Sequence, residues 1–186
     1  MKKHTFIYTQ GFSLVELLVA ISILSIAILA TFTAVQGSYR GSAFAEDQII
    51  ASYLAQEGLE FIRNLRDENG IKNIRAFETG GSVAWLSGIA QLASDPCYPG
   101  KVCVVDSPLK TITACSSDAL SCPMLRYDST TGLYGYTGSW TVTKYRRSIS
   151  ITSVSATEIR VTVDVYWQGQ GIAKTFTVSE TLKNWQ

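Results

Sequence analysis

The sequence predicts an α+β fold. One long N-terminal helix, membrane-spanning in its first half and amphipathic in its second, is expected to pack on a C-terminal antiparallel β-sheet. Three observations predict it. Residues 17–35 run through 19 positions without a charge, a glycine or a proline. Residues 44–66 place apolar side chains at helical spacing, with most of their charges on the other face. From residue 125 onward the pattern changes to alternation with a period of two.

The first segment sets the chemistry of the rest. The chain has 186 residues, 16 Lys+Arg, 15 Asp+Glu and one His, and its charged fraction of 17% is below the rough quarter of a soluble domain. The deficit is local: residues 1–43 hold only Lys2, Lys3, Glu16 and Arg40. As a helix, residues 17–35 would measure about 28 Å, close to the ~30 Å of a bilayer's hydrocarbon core. A buried core helix is the bland alternative, but apolar side chains on every face would need a large protein around them. A cleaved secretory signal is the other. Its apolar part is usually shorter and ends in a small-x-small site, and Thr33-Ala34-Val35 is a poor one. Lys2 and Lys3 precede the run without an acid beside them. The positive-inside rule therefore keeps that end cytoplasmic and puts residues 40–186 outside the cytoplasm.

Glu16 is the residue that asks for an explanation. An acid at the edge of an apolar span is costly and usually has a partner. Its neighbours, GFSLVELLV over residues 11–19, resemble the class III signal of type IV pilins and type II secretion pseudopilins. In that family a short basic leader ends in Gly, the mature chain begins with Phe, and the fifth mature residue is Glu. Gly11, Phe12 and Glu16 stand at those positions, with Ser13 in place of the commoner Thr.

The resemblance implies a sequence of events. A prepilin peptidase cuts between Gly11 and Phe12 and methylates the new amino group of Phe12. The apolar run stays in the mature chain, anchored first in membrane lipid. It then meets an inner-membrane assembly platform and packs against other pilin subunits in a filament. Glu16 is expected to pair with the amino terminus of an adjacent subunit. Glu16 also argues against the tip-most pseudopilin type, which typically lacks this acid. Many pilins carry a proline inside the helix where this chain has Ser22, so a straighter helix is expected there. Gly37 and Gly41, weak helix formers, are expected points of bending or melting during assembly. Their Gly-x-x-x-Gly spacing is a weaker helix-packing signal.

In residues 44–66 the stripe is Ile50, Leu54, Phe61 and Leu65, with Gly58 between and Ala51 and Ile62 widening it. Gly58 would allow close approach to a sheet. Glu57, Glu60, Arg63 and Arg66 read as a solvated face with spaced ion pairs. Asp67, Asn69 and Gly70 read as the helix stop, giving one helix from about residue 12 to 66. The stretch ASYLAQEGLEFIRNLRD, residues 51–67, resembles PilV-type minor pilins and favours a minor subunit over a major one.

Residues 67–124 form the expected variable αβ-loop region, with turn signals at Gly80-Gly81 and at residues 96–100 and a short helix allowed over 83–92. They contain Cys97, Cys103, Cys115 and Cys122. An even number outside the cytoplasm suggests disulfides, and four cysteines allow three pairings. Cys97–Cys103 with Cys115–Cys122 is favoured, since each pair closes a short local loop. A zinc site fits less well, because the five- and six-residue intervals exceed the usual ligand spacing. A nucleophilic cysteine would want a histidine, and His4 lies in the leader.

Residues 125–186 are the expected sheet. Residues 125–127 and 133–136 flank a turn over 128–132, and residues 141–153 are rich in β-formers. Residues 157–167 alternate, with Ile159, Val161, Val163, Val165 and Trp167 on one face. Residues 168–171 turn the chain, and Phe176, Val178 and Leu182 face inward from the last strand. In the language of the resembled family this is the pilin roll. Arg146 and Arg147 read as a solvated pair, Trp140, Trp167 and Trp185 as core or sheet-end packing, and Trp85 as a candidate contact on the variable loop.

The expected function is structural: a minor pilin of a type IV pilus or related filament. A major pilin or a type II secretion pseudopilin is the alternative, and an anchored extracytoplasmic binding module that never polymerises is a further one. No nucleophile–base pair, metal cluster or phosphate loop is visible, so no enzyme and no cofactor are expected. A net charge of +1 without a basic cluster argues against nucleic acid as the main ligand.

Overall fold

A computed structural model describes residues 11, 13–116, 118–169 and 171–184. Lys2, Lys3, His4, Phe12 and Trp185, on which several expectations rest, lie outside the described residues. The chain divides into two compact units, Met1–Ala45 and Glu46–Gln186.

Helix α1 spans Leu14–Phe77. In the first unit it runs unbroken through Ser22, Gly37 and Gly41. Its apolar side chains there are exposed, and its most apolar 18-residue window has a mean hydropathy of 2.5. Four hydroxyls of this stretch turn back on the helix. Ser22 Oγ donates to Leu18 O at 2.8 Å, Ser25 Oγ to Ile21 O at 2.8 Å, Thr31 Oγ1 to Ile28 O at 2.9 Å and Thr33 Oγ1 to Ala30 O at 2.9 Å. Polar groups satisfied within the helix are what a hydrocarbon surrounding requires.

In the second unit α1 buries Ala51, Leu54, Ala55, Gly58, Leu59 and Ile62 against the sheet. The buried stripe is rotated from the expected one, leaving Ile50, Phe61 and Leu65 only half-buried at its margins. The helix also passes the expected stop at Asp67–Gly70 and continues for two more turns. Asn69 and Gly70 are buried, not terminal. The Asn69 amide donates to Trp85 O at 3.2 Å and to Ser87 O at 2.9 Å, so residues that usually cap a helix here fasten a loop to it. The stop comes at Gly80, whose φ of +77° lets Gly81 N bond back to Ala76 O at 2.8 Å.

Among the described residues seven antiparallel strands form one sheet. They are β1 (Val102–Asp106), β2 (Thr111–Ala114), β3 (Met124–Tyr127), β4 (Tyr134–Gly135), β5 (Thr141–Ser155), β6 (Glu158–Gly169) and β7 (Ile172–Lys183). β5, β6 and β7 make the meander that alternation predicts. The other edge of β5 is shared by β1, through Ile149 and Ser150, and by β3, through Thr141, Val142 and Arg146. Ile159, Val161, Val163, Val165 and Trp167 are buried, as their alternation requires. The hairpin β1–β2 within the variable region is an addition to the expected sheet.

The rest of that region differs from expectation as well. Residues 83–92 form turns instead of a helix, broken at Gly88 with φ +72°. Trp85 is 8% exposed and joins Leu86, Ile89 and Ala90 in the core, so it is not a surface contact. The favoured cysteine pairing is the one present: Cys97–Cys103 and Cys115–Cys122 both lie at the open end of the β1–β2 hairpin, where Cys103 pairs with Ala114.

The largest departure is Arg147. Expected to be solvated, it is 0% exposed. Its Nη1 donates to Leu54 O at 2.9 Å and to Glu57 Oε2 at 3.1 Å, and its Nη2 donates to Val105 O at 2.7 Å. One guanidinium therefore ties α1, β1 and β5 together. Glu57 is thereby drawn out of the solvated face assigned to it, and Arg63 likewise bridges Glu60 to Glu180 on β7. Gly58 makes the arrangement fit: a Cβ there would lie 3.1 Å from Arg147 Cδ and 3.3 Å from Val163 Cγ1. Arg146 reaches Leu120 O and is half-buried.

Two tyrosines resist ionisation beside this core. Burial raises the pKa of Tyr145, and its hydrogen bond to Asp47 Oδ1 at 2.9 Å raises it further. Burial also raises the pKa of Tyr136, against the opposing pull of Arg147.

Two tests follow from this packing, each on the full chain in detergent. Arg147→Ala should cost about 2–4 kcal/mol by denaturant unfolding, because it empties a buried site and takes a donor from the carbonyls of Leu54 and Val105. Gly58→Ala should also destabilise, by about 1–2 kcal/mol, because overpacking outweighs the gain in helix propensity. An unchanged midpoint in either variant would contradict the clamp. For the tyrosines, folded pKa values lie above the unfolded value of about 10, so their contribution is whole below that pH and is lost as pH rises beyond it. The thermal midpoint should be flat to about pH 9 and fall above about pH 10, less steeply in Tyr145→Phe.

Candidate processing and assembly site

The site is built from the first turn of α1. Gly11 is exposed, with nothing within 4 Å of where a Cβ would stand. Ser13 is the cap: its Oγ accepts from Glu16 N at 3.2 Å, and its carbonyl accepts from Leu17 N at 3.1 Å. A hydroxyl in this position satisfies one of the amide donors that a helix start leaves without a partner.

Glu16 is the acid of that first turn and is exposed. A carboxylate there favours the helix start through the helix dipole. The residues Ser13-x-x-Glu16 also form the sequence of a capping box, a local signal that marks the helix start without any reference to a family. Glu16 thus has a local task in starting the helix as well as the intersubunit task that the family resemblance implies. Phe12 lies outside the described residues, so the junction itself has no described geometry.

The cysteines belong to the second unit, where they form two disulfides. Among the described residues no cluster of His, Cys, Asp and Glu is placed to hold a metal ion.

The family model for the prokaryotic N-terminal methylation motif matches residues 8–32. The chain carries a type IV pilin-like class III signal. The matched residues include Gly11, Phe12 and Glu16 and more than half of the apolar run. No curated protein and no solved structure matches the chain. The motif, the apolar helix and the disulfide-bonded cysteines fit a processed, membrane-anchored, single-pass subunit of pilin or pseudopilin type. Such a motif points to a structural subunit rather than an enzyme, one that is processed by a prepilin peptidase and assembles with other pilins.

Proposed function

We infer that the chain is a minor pilin of a type IV pilus or a related filament. It divides into a leader, residues 1–11, a filament-core helix, 12–36, an amphipathic helix opening at 37, a variable region, 67–124, and a sheet, 125–186. Lys2 and Lys3 hold the leader in the cytoplasm while the remainder crosses the inner membrane. Cleavage after Gly11 removes both lysines and frees the amino group of Phe12 for methylation. The observation that carries the reading is Glu16. It is one acid in the first turn of a helix whose following 19 residues are uncharged, placed directly after the Gly-Phe junction.

The chemistry explains the placement. In the inner membrane the carboxylate sits at the bilayer edge, where its cost is reduced. Withdrawn into a filament core, it needs a positive partner, since a buried charge left without one costs several kcal/mol. The amino terminus of a neighbouring subunit supplies that charge. Pairing then fixes the axial register of one helix against the next. The stretch over residues 51–67 favours a minor subunit; a major pilin or a pseudopilin would use the same N-terminal chemistry.

Gly11→Ala should leave the precursor uncleaved, read as retention of the leader mass in membranes. Glu16→Ala should be cleaved normally yet enter sheared filaments at least about tenfold less than wild type, a factor equivalent to ~1.4 kcal/mol. Equal incorporation would remove the docking role, and function without cleavage would favour an anchored binding module.

A further inference from the structure

The variable region and the far end of β5 enclose a pocket of about 280 Å³. Its floor is apolar and buried, from Trp85, Ala90, Ile151 and Ile159. Its rim is polar: Gln91, Ser153 and Ser155 are exposed there and Tyr98 is half-buried. None of the residues lining it carries a charge. The whole pocket belongs to the second unit. It lies at the end of β5 remote from Lys144 and Tyr145, which reach Asp47 at the start of that unit.

The walls are fixed before anything enters. Asn69 fastens the carbonyls of Trp85 and Ser87, and Asp95 Oδ2 accepts from Gln91 N and Leu92 N, each at 2.8 Å. Tyr98–Lys101 is a tight turn. Pro99 presets its second position, Gly100 supplies φ +91° at the third, and Lys101 N closes on Tyr98 O at 2.8 Å. The Cys97–Cys103 disulfide ties that turn to β1. On the opposite wall the register of β5 shifts between Ser153 and Ser155. A bulge of this kind re-aims side chains and is frequent beside binding sites. Its hydroxyls are loosely held. Ser153 Oγ donates to Ser155 O at 3.3 Å and Ser155 Oγ lies 3.4 Å from Thr157 Oγ1, both long for hydroxyl bonds.

We propose that this pocket binds a neutral sugar ring. A pyranose has C–H faces that lie against aromatic and aliphatic side chains, and hydroxyls around its edge. Trp85, Tyr98 and Ile151 offer the first kind of contact. Gln91, Ser153 and Ser155 offer donors and acceptors for the second. A charged ligand would be desolvated there without a counter-ion. The volume lies at the lower end of the ~300–1,000 Å³ of ordinary ligand sites, which suits one ring better than an extended peptide. Walls already held by a disulfide and by buried hydrogen bonds lose little freedom when a ligand binds. The pocket shares no residue with the N-terminal site, so sugar binding and filament assembly stand or fall separately.

Saturation-transfer NMR on the full chain tests it, in lauryldimethylamine oxide, because detergents with sugar headgroups would compete. The probes are lactose, cellobiose, mannobiose and N,N′-diacetylchitobiose, with N-acetylneuraminic acid as the charged comparator and hexaproline as the peptide comparator. At least one disaccharide should receive saturation on its ring protons, with a Kd on the order of 1 mM. N-acetylneuraminic acid should bind at least about tenfold more weakly. Gln91→Ala and Ser155→Ala should each weaken binding about fivefold, the loss of one hydrogen bond. Both positions are exposed, and retention of both native disulfides by mass checks that the variants fold. Tyr53→Ala, at an exposed tyrosine of α1 outside the pocket, should bind as wild type does. Saturation of none of the four disaccharides would overturn the proposal, as would equal binding by wild type, Gln91→Ala and Ser155→Ala. Equal affinity for N-acetylneuraminic acid, or binding of hexaproline in place of the sugars, would overturn it too.

Discussion

A single buried guanidinium organises the globular unit. Arg147 reaches a main-chain carbonyl of α1, a carboxylate one turn later, and a carbonyl of β1, all from the middle of β5. Burying a cation this fully is tolerable only when its hydrogens meet fixed acceptors, and here two acceptors come from α1 and one from β1. The helix can come close enough to supply them because residue 58 has no side chain. β1 joins β5 through only two residue pairs, at Val102 and Cys103, so the bond to Val105 O extends its hold along the strand. The Cys97–Cys103 disulfide holds the same strand from its other end. Helix, central strand and added hairpin are thus fixed by one side chain and one crosslink.

The main elements were legible because their periodicity is strong. The alternation over residues 157–167 leaves one register for β6, and its apolar face is the buried one. The membrane-length run is equally plain, since nothing but a helix satisfies its backbone in lipid. What escaped were residues whose role is set by a distant partner. Two adjacent arginines at a strand look solvated, and nothing local says that carbonyls from positions 54 and 105 converge on the second. Asn69 and Gly70 have the composition of a helix end, yet Asn69 spends its amide on the carbonyls of Trp85 and Ser87. Trp85 looked exposed only because its loop has no periodicity to show that it folds inward. In the N-terminal site, Gly11, Phe12 and Glu16 were singled out by the resemblance of residues 11–19 to a class III signal, and the family model's match over residues 8–32 spans all three. The cap at Ser13 was missed, although the Ser-x-x-Glu spacing over residues 13–16 is its local signal.

The back-bonded hydroxyls of α1 have a thermodynamic consequence. Ser22, Ser25, Thr31 and Thr33 carry their hydrogen bonds with them, as does the helical backbone, so exchanging lipid for protein around this surface breaks none of those bonds. Dispersion attraction to a neighbouring helix largely replaces the attraction to lipid tails. For most of its length the segment is therefore nearly indifferent to which of the two surrounds it. A rod with that property can be moved from one phase to the other and back by modest work. In the filament reading proposed above, Glu16 and the amino group it pairs with are the charges whose energy differs sharply between the two surroundings, so that pair sets the direction of the exchange.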